Sequence, residues 1–240
     1  MKKILLLVMA VFLAGCATYY NPVTKKSEKT LYTEQDEVDM GVAADKKVQS
    51  EYKVVPTPSR IQRIGERVAS NSDRTNITYT FRVIENKEIN AFALPGGFVY
   101  LHTGLLEKAS SDDEIANVIG HEIAHIIARD GVNNMQKQVL YSIPAQILLS
   151  NRSKAIQQAV DATFSVTMLK YSREAELRAD TYGVIYAHRS GYNPEGMVSF
   201  FRKLQDMEST NSSTQITFLR SHPVVSERIK NVQNVISVLK

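Results

Sequence analysis

The five residues His121-Glu122-Ile123-Ala124-His125 are the stretch of this 240-residue sequence from which its fold can be worked out. Histidines four positions apart lie on one face of a helix, so both imidazole rings can reach a single metal ion. The glutamate after the first histidine would then stand beside the open position of that metal, where a general base is needed. The pattern predicts a zinc ion bound by His121 and His125, with Glu122 as the base.

The residues around this motif predict that it lies in the middle of a buried helix. Ser111 and Glu114 have the spacing of a capping box, which predicts a helix that begins near Asp112. Beyond that start, isoleucine and valine recur at steps of three and four residues and form an apolar stripe. Gly131 is expected to stop or kink the helix, which leaves both histidines where the backbone is most rigid.

A catalytic zinc ion usually keeps three protein ligands and a water molecule, so a further ligand is expected downstream. Glu176 lies 51 residues beyond His125 (176 − 125) in a segment that reads as helix. Asp180 follows it at i+4, on the same helix face, where it can accept the free N–H of a ligating histidine. Glu174 is the competing ligand, although it has no aspartate at i+4. The alternative is a solvated helix face held by salt bridges.

The order of these blocks resembles that of the membrane-associated gluzincin peptidases, the family that includes HtpX, the CAAX prenyl protease, BepA and LoiP. The resemblance rests on HEIAH at 121–125, SREAELRAD at 172–180 and Ser221-His222-Pro223 with Arg228, and it covers roughly residues 35 to 240. It implies hydrolysis of peptide bonds and one zinc ion per chain, with Asp180 as the partner of a ligating histidine. The implied ligands are His121, His125 and Glu176, and the implied base is Glu122.

The segment Asn-Ala-Phe-Ala-Leu-Pro-Gly-Gly at 90–97 also matches the family. Two apolar runs flank Pro95-Gly96-Gly97, a turn signal that by itself predicts a β-hairpin. Small alanines alternate with the larger Phe92 and Leu94, so one face of the strand is expected to leave its backbone open to an extended peptide. An ordinary packed hairpin is the alternative. The substrate-binding residues that the resemblance implies are Asn90, Ala91, Phe92 and Ala93.

The resemblance further implies roles for His222 and Arg228. Both side chains would suit the oxyanion of the tetrahedral intermediate, as preorganised donors. In some members of the family the histidine takes the open position on the zinc ion instead. From the sequence alone, a single histidine ahead of a helix is more often a capping or surface residue. Two hypotheses therefore stand for His222: it aids turnover, or it caps the zinc ion.

The first sixteen residues predict export and lipidation. A charged start, a short apolar core and the sequence LAGC resemble the signal of a bacterial lipoprotein. Residues 1–15 are expected to be removed and lipid attached to Cys16, and an ordinary secretory signal is the alternative. Because alanine follows the cysteine, sorting rules for lipoproteins imply the periplasmic face of the outer membrane in a Gram-negative source. Residues 16–33 are polar and are expected to form a lipidated tether.

Composition favours a single exported domain and gives no sign of nucleic-acid binding. Without Lys2 and Lys3 the chain has 27 basic and 25 acidic residues, and no basic cluster marks a nucleic-acid site. No later apolar run approaches the roughly 20 residues that cross a bilayer. With 43% apolar residues, the chain can bury one sizeable core. Residues 34–240 are expected to form one zinc metallopeptidase domain.

Few predicted strands and many predicted helices give a mainly helical α+β fold. It should contain the HExxH helix, a small β-sheet with a substrate-binding edge strand, and C-terminal helices. The expected function is a lipid-anchored zinc endopeptidase that clears misfolded or misassembled cell-envelope proteins, with outer-membrane assembly machinery as a partner. The alternative is an assembly factor or chaperone whose zinc site is latent and capped by a histidine. His102 and His188 are expected to be structural.

Overall fold

Helices surround a small mixed β-sheet in the computed structural model, which describes residues 17–142, 156–158, 160–161, 171–209, 217–218, 222 and 225–239. An N-terminal antiparallel hairpin is formed by β1 (Ala17–Asn21) and β2 (Lys26–Thr30). The main sheet is formed by β3 (Val54–Val55), β4 (Thr80–Ile84), β5 (Ala91–Leu94) and β6 (Phe98–His102). The helices are α1 (Glu34–Glu51), α2 (Ser59–Ser70), α3 (Thr103–Lys108), α4 (Asp112–Ile127), α5 (Asp130–Ser142), α6 (Arg173–Arg189), α7 (Glu195–Ser209) and α8 (Val225–Leu239).

The described elements confirm the mainly helical α+β fold. Helix α1 begins at a reciprocal capping box, which Thr33 and Asp36 form at its N-terminus. Among the described helices, none combines the length and the apolarity needed to cross a membrane. The predicted signal peptide and Cys16 lie outside the described residues.

The main sheet has the strand order β3-β4-β6-β5, so β5 lies at its edge. Strands β5 and β6 pair antiparallel across the turn Pro95–Gly97, which confirms the predicted hairpin. Gly96 and Gly97 have φ angles of 71° and 102°, a left-handed conformation that glycine adopts without steric cost. Strand β4 pairs parallel with β6, a contact that the local sequence pattern does not reveal.

Both faces of strand β5 are covered, which contradicts the expectation of an open alanine face. Ala91 and Ala93 pack in the same apolar cluster as the isoleucines of α4. Phe92 and Leu94 point the other way, into a second cluster that contains Met40 of α1. The sheet is therefore enclosed between α1 and α4, and among the described strands only β6 pairs with β5.

Helix α4 carries the HExxH motif and is almost completely buried. Ser111 caps it by accepting a hydrogen bond from the N–H of Glu114, while the Glu114 carboxylate accepts from the N–H of Ser110. The helix ends at Ile127, before the predicted stop. The break comes from Arg129, whose φ is 55°, and Gly131 lies inside the next helix, α5. The sequence pattern thus placed the end of α4 too late, because it favoured glycine over an arginine in a left-handed turn.

Helices α4 and α6 cross with their backbones in direct contact. The contact lies at Gly120 and Gly183, where a Cβ atom added to Gly120 would be 2.5 Å from the carbonyl oxygen of Gly183. Only residues without a side chain allow two helices to approach so closely. The crossing point directly precedes His121 on α4 and follows Glu176 by two turns on α6.

Candidate metal centre

Four buried side chains from three segments meet beside helix α4. Their donor atoms all lie within 4.8 Å of one another, and each residue is at most 1% exposed. Residues on α4 and α6 contribute three of them, and the fourth comes from the segment ahead of α8. The four residues are His121, His125, Glu176 and His222.

The spacing of these donor atoms fits a tetrahedral zinc ion. Zinc–ligand bonds of about 2.0–2.1 Å place ligand atoms about 3.3 Å apart. The Nε2 atom of His121 lies 3.1 Å from Nε2 of His125, 3.3 Å from Nδ1 of His222 and 3.6 Å from Oε2 of Glu176. Glu176 Oε1 lies 3.5 Å from His125 Nε2, and either Glu176 oxygen lies 2.9 Å from His222 Nδ1. The donor atoms of His125 and His222 lie within 4.8 Å of each other. Two or three imidazoles with one carboxylate are a donor set that zinc commonly takes.

The formal charges around the cluster also suit a divalent cation. Four carboxylates face it and two guanidinium groups lie beside them, so the formal negative charges outnumber the formal positive charges. Burial alone would raise the pKa of Glu176, but His222, His125 and Arg228 hold that pKa well below its usual range. The carboxylates are those of Glu122, Asp130, Glu176 and Asp180, and the guanidinium groups are those of Arg178 and Arg228.

His121 is oriented by a carboxylate from α6. Its Nδ1 atom lies 2.9 Å from Oδ1 of Asp180, which leaves Nε2 directed into the cluster. Asp180 is in turn held by Arg228, with Nε 2.7 Å from Oδ2 and Nη2 2.6 Å from Oδ1. Burial would raise the pKa of Asp180, but Arg228 and His121 lower it, so the ionised acceptor is favoured. The structure thus places Asp180 against Nδ1 of His121, the kind of contact that the sequence predicted for it.

His125 has an orienting carboxylate of its own, which the sequence analysis missed. Its Nδ1 atom lies 2.9 Å from Oδ2 of Asp130, the residue that opens α5. Burial would lower the pKa of His125, but hydrogen bonds to Asp130 and Glu176 outweigh it and raise the pKa to about 10. The surroundings of His125 therefore favour positive charge. The ring of Tyr171 stacks on the imidazole at a centroid distance of 4.0 Å.

Glu122 points into the same enclosed space without binding any described group. It is completely buried, and within the described part of the chain neither of its carboxylate oxygens has a hydrogen-bond partner. A buried carboxylate without a partner is costly, which indicates a place for a ligand or water molecule. The Nε2 atom of His222 lies 3.7 Å from Oε1 of Glu122.

His222 is held in the cluster by contacts on several sides. Its ring stacks on Phe218 at 4.6 Å, and its carbonyl oxygen accepts a hydrogen bond from Nη1 of Arg228. The N–H of Phe218 donates to the carbonyl oxygen of Ile89, just ahead of strand β5. His222 thus sits with Nδ1 among the donor atoms and Nε2 toward Glu122. In the described conformation Arg228 is committed to Asp180, His222 and Glu176.

The outer edge of β5 runs past this cluster. His102 donates its N–H to the carbonyl oxygen of Asn90 at 3.0 Å, so in the antiparallel pairing the backbone groups of Ala91 and Ala93 face away from β6. Among the described residues the buried side-chain amide of Asn90 has no hydrogen-bond partner. A small cavity is lined by Ala93 of β5 and His125 of α4, among others.

The structure therefore brings together most of the residues that the sequence singled out. The four donors, Glu122 and the pair Asp180–Arg228 form one site, and β5 lies beside it. Glu174, the competing ligand, is exposed and outside the cluster. His102 and His188 also lie outside it. No signal in the sequence pointed to Asp130 as a partner of His125, apart from its place shortly after the motif.

Comparison with known proteins gives a match over most of the chain. The profile of "Peptidase family M48" matches residues 57–236. The chain is 32% identical over 185 residues to the beta-barrel assembly-enhancing protease of Escherichia coli strain K12, covering 72% of this chain and 38% of that protein. For the protein of the same name in Yersinia pestis, the identity is 30% over 193 residues, covering 75% of this chain and 39% of that protein.

A second group of relatives is mitochondrial. The chain is 25% identical over 251 aligned positions to the mitochondrial metalloendopeptidase OMA1 of Saccharomyces cerevisiae, covering 93% of this chain and 72% of that protein. By contrast, the chain spans well under half the length of the beta-barrel assembly-enhancing proteases it matches.

Proposed function

The chain belongs to peptidase family M48, a family of zinc-dependent metalloproteases, and from that premise we propose that it is an endopeptidase of the bacterial cell envelope. Its substrates would be misfolded or misassembled envelope proteins. The observation that carries the proposal is the buried donor cluster with the partnerless carboxylate of Glu122 beside it. We assign His121, His125 and Glu176 as the zinc ligands.

The proposed reaction is hydrolysis of a peptide bond without a covalent intermediate. Bound zinc supplies a Lewis acid that polarises the scissile carbonyl group and acidifies a water molecule. Glu122 takes the proton of the attacking water on its carboxylate and passes it to the leaving amine nitrogen. Asp180, fixed by Arg228, holds His121 in the tautomer that presents Nε2. In this conformation Arg228 therefore acts through Asp180. It would have to rearrange before it could donate a hydrogen bond to the oxyanion.

The substrate would bind as an extended strand along the outer edge of β5. The outward N–H and C=O groups of Ala91 and Ala93 provide the ladder of hydrogen bonds that strand addition uses. The partnerless amide of Asn90 lies at the start of this edge and could bind a backbone group of the same peptide. Phe92 contributes its backbone to β6 and its ring to the core, so its part in substrate binding is to hold the strand.

The location in the envelope rests on two supports outside the cluster. Relatives that share the domain are named for assembly of beta-barrel proteins, which in bacteria reside in the outer membrane. The sequence LAGC at 13–16 supports a lipid on Cys16, which would hold the domain at the periplasmic face of that membrane. Outer-membrane assembly machinery is the partner that this location favours.

One observation favours the alternative of an assembly factor whose zinc site is latent. The Nδ1 atom of His222 lies 2.9 Å from Glu176 and 3.3 Å from His121, where it completes four protein donors. Four protein ligands close a zinc site, whereas catalysis needs an open position. His222 would then have to leave the cluster before a substrate could be cleaved.

Two variants test the enzyme against the alternative. Glu122→Gln should retain zinc and lose cleavage of an unfolded protein such as casein, because the base is gone while all ligands remain. Glu176→Gln should lose zinc, and Glu174→Gln, an exposed neighbour on the same helix, should behave as the wild type. If Glu122→Gln fully restores the phenotype of a deletion strain, proteolysis is not the main function.

His222→Ala separates the two hypotheses for the histidine. Gained activity supports a cap, because an open position on zinc would be created. Lost activity supports a role in turnover, and unchanged activity contradicts both.

A further inference from the structure

Asp130 is placed to control the second histidine of the motif. One carboxylate oxygen, Oδ2, lies 2.9 Å from Nδ1 of His125, and the other, Oδ1, accepts a hydrogen bond of 2.8 Å from Nη2 of Arg178. Asp130 is 8% exposed and His125 is 1% exposed, so water hardly competes for either contact. The imidazole is thereby oriented with Nε2 toward Glu176.

Asp130 reaches His125 only because the chain reverses at Arg129. Helix α4 ends at Ile127, and Arg129 has a φ of 55°, a left-handed conformation that residues other than glycine, asparagine and aspartate seldom adopt. Such a turn persists when the surroundings hold it in place. The surroundings of the Arg129 side chain are therefore decisive for where Asp130 lies.

The side chain of Arg129 is held by the N-terminal part of the chain. Its Nε atom lies 2.9 Å from the buried carboxylate of Glu37, and Nη2 donates to the carbonyl oxygens of Tyr32 and Thr33. The guanidinium group also lies over the ring of Tyr19, 4.5 Å from its centroid, in cation–π geometry. Strand β1 thus covers the turn, although the sequence predicted a tether in this region.

A second set of contacts joins the β1–β2 hairpin to both sides of the same turn. Asn21, which is completely buried, donates from Nδ2 to the carbonyl oxygen of Ala128 at 3.1 Å. The N–H of Leu31 donates to Oε1 of Gln136 on α5 at 2.8 Å. The hairpin therefore contacts the end of α4, the turn and the helix that follows.

We propose that Asp130 is a positioning residue for the zinc ligand His125, and that the docked N-terminal hairpin keeps it in place by holding the left-handed turn at Arg129. The proposal rests on the proposed function in one respect, since it takes zinc to be the ion that His125 binds. A carboxylate on the distal nitrogen of a ligating histidine fixes the ring and strengthens its binding, and removal of such a partner typically costs about 10- to 100-fold in metal affinity.

The test is the dissociation constant for zinc, measured on the folded protein by competition with a chromophoric chelator. Asp130→Ala should weaken binding by about 10- to 100-fold. The isosteric Asp130→Asn should give a smaller loss, because the amide oxygen still accepts from Nδ1–H without the negative charge. If Asp130→Ala fails to fold, the zinc affinity of Asp130→Asn still tests the proposal. Asp39→Asn, an exposed aspartate on α1, is the matched control and should bind as the wild type.

The hairpin is tested by two further variants. Arg129→Gly removes the contacts of the side chain while glycine still permits the left-handed backbone. Asn21→Ala removes the bond to Ala128, with the exposed neighbour Tyr20→Ala as its control. Both test variants should bind zinc less tightly than the wild type, and their loss of affinity should be smaller than that of Asp130→Ala. In the cobalt-substituted protein they should also change the visible absorption bands, which report ligand geometry.

The outcomes separate this proposal from the proposed function. If the wild type binds zinc and both Asp130 variants bind it equally tightly, Asp130 does not position His125. If the Asp130 variants weaken binding but Arg129→Gly and Asn21→Ala leave both affinity and spectrum unchanged, the role of the hairpin is overturned. If the wild type itself binds no zinc, the proposed function fails, and this proposal with it.

Discussion

Replacement of Gly120 by alanine should push the two helices of the metal centre apart. The added Cβ atom would lie 2.5 Å from the carbonyl oxygen of Gly183, and ordinary contact begins at 3.4 Å. The obstacle is backbone on both sides, so a change of rotamer cannot relieve it. The helices must therefore separate by about 0.9 Å, the difference between the two distances, at the point next to His121.

Two opposing effects set the change in stability. Alanine is favoured over glycine inside a helix by about 1 kcal/mol, whereas overpacking a close contact costs about 1–3 kcal/mol. The free energy of unfolding should therefore fall by up to about 2 kcal/mol. The metal centre should suffer more, because zinc–ligand distances tolerate about 0.2 Å and a misplacement near 1 Å can lower a rate on the order of 100-fold.

Urea unfolding, zinc competition and peptide cleavage measure the three effects on one preparation. Gly131→Ala is the matched control, since it also lies in a helix but its Cβ atom would be 3.6 Å from the nearest atoms, those of Pro95. That variant should be as stable as the wild type or up to about 1 kcal/mol more stable. If Gly120→Ala binds zinc and unfolds like the wild type, the helix crossing does not set the spacing of the ligands.

Three further predictions concern buried titratable groups. Asp180→Asn should weaken zinc binding by about 10- to 100-fold, measured by chelator competition, because His121 loses its charged partner. Glu37→Gln should lower the free energy of unfolding in urea by about 3–5 kcal/mol, because the buried Arg74 and Arg129 lose the carboxylate that they share. Burial lowers the pKa of His102 from 6.5 to about 4 despite the nearby Glu88. The unfolded chain thus binds more protons between these values, so stability should fall as pH drops from 6.5 to about 4, and His102→Gln should reduce that fall.

The elements that the sequence predicted best are those with local signals. Helix α4 has a capping serine at its start and a helical apolar stripe, so its position follows from short-range rules. Glu176 and Asp180 reach the cluster together because their i+4 spacing puts both carboxylates on one face of α6, as the sequence predicted. The hairpin of β5 and β6 followed from the turn at Pro95–Gly97, where glycine is needed for backbone reasons.

The contacts that sequence reasoning missed depend on parts of the chain that are distant or unusual. Asp130 faces His125 only through a left-handed arginine, and no propensity rule predicts an arginine there. The β1–β2 hairpin is rich in polar residues and therefore resembled a tether. Its buried groups are stabilised by hydrogen bonds, such as that from Asn21 to Ala128, which composition cannot show.

The expectation that one face of β5 is open was wrong for a related reason. Alternation of small and large residues fixes which side chains share a face, but it does not say what covers each face. Ala91 and Ala93 pack in the apolar cluster of α4, and among the described strands only β6 pairs with β5, so its other edge is the part that we propose for peptide binding.

The order of events during folding follows from where the donors lie in the chain. His121 and His222 are 101 residues apart, and His222 and Glu176 are 46 apart. A nascent chain that has formed only α4 offers a pair of histidines to the metal. The other donors join them only when the intervening chain closes into loops, which costs conformational entropy. Zinc is thus expected to enter after the C-terminal segments have docked, so metal content reports a completed tertiary structure rather than a local motif.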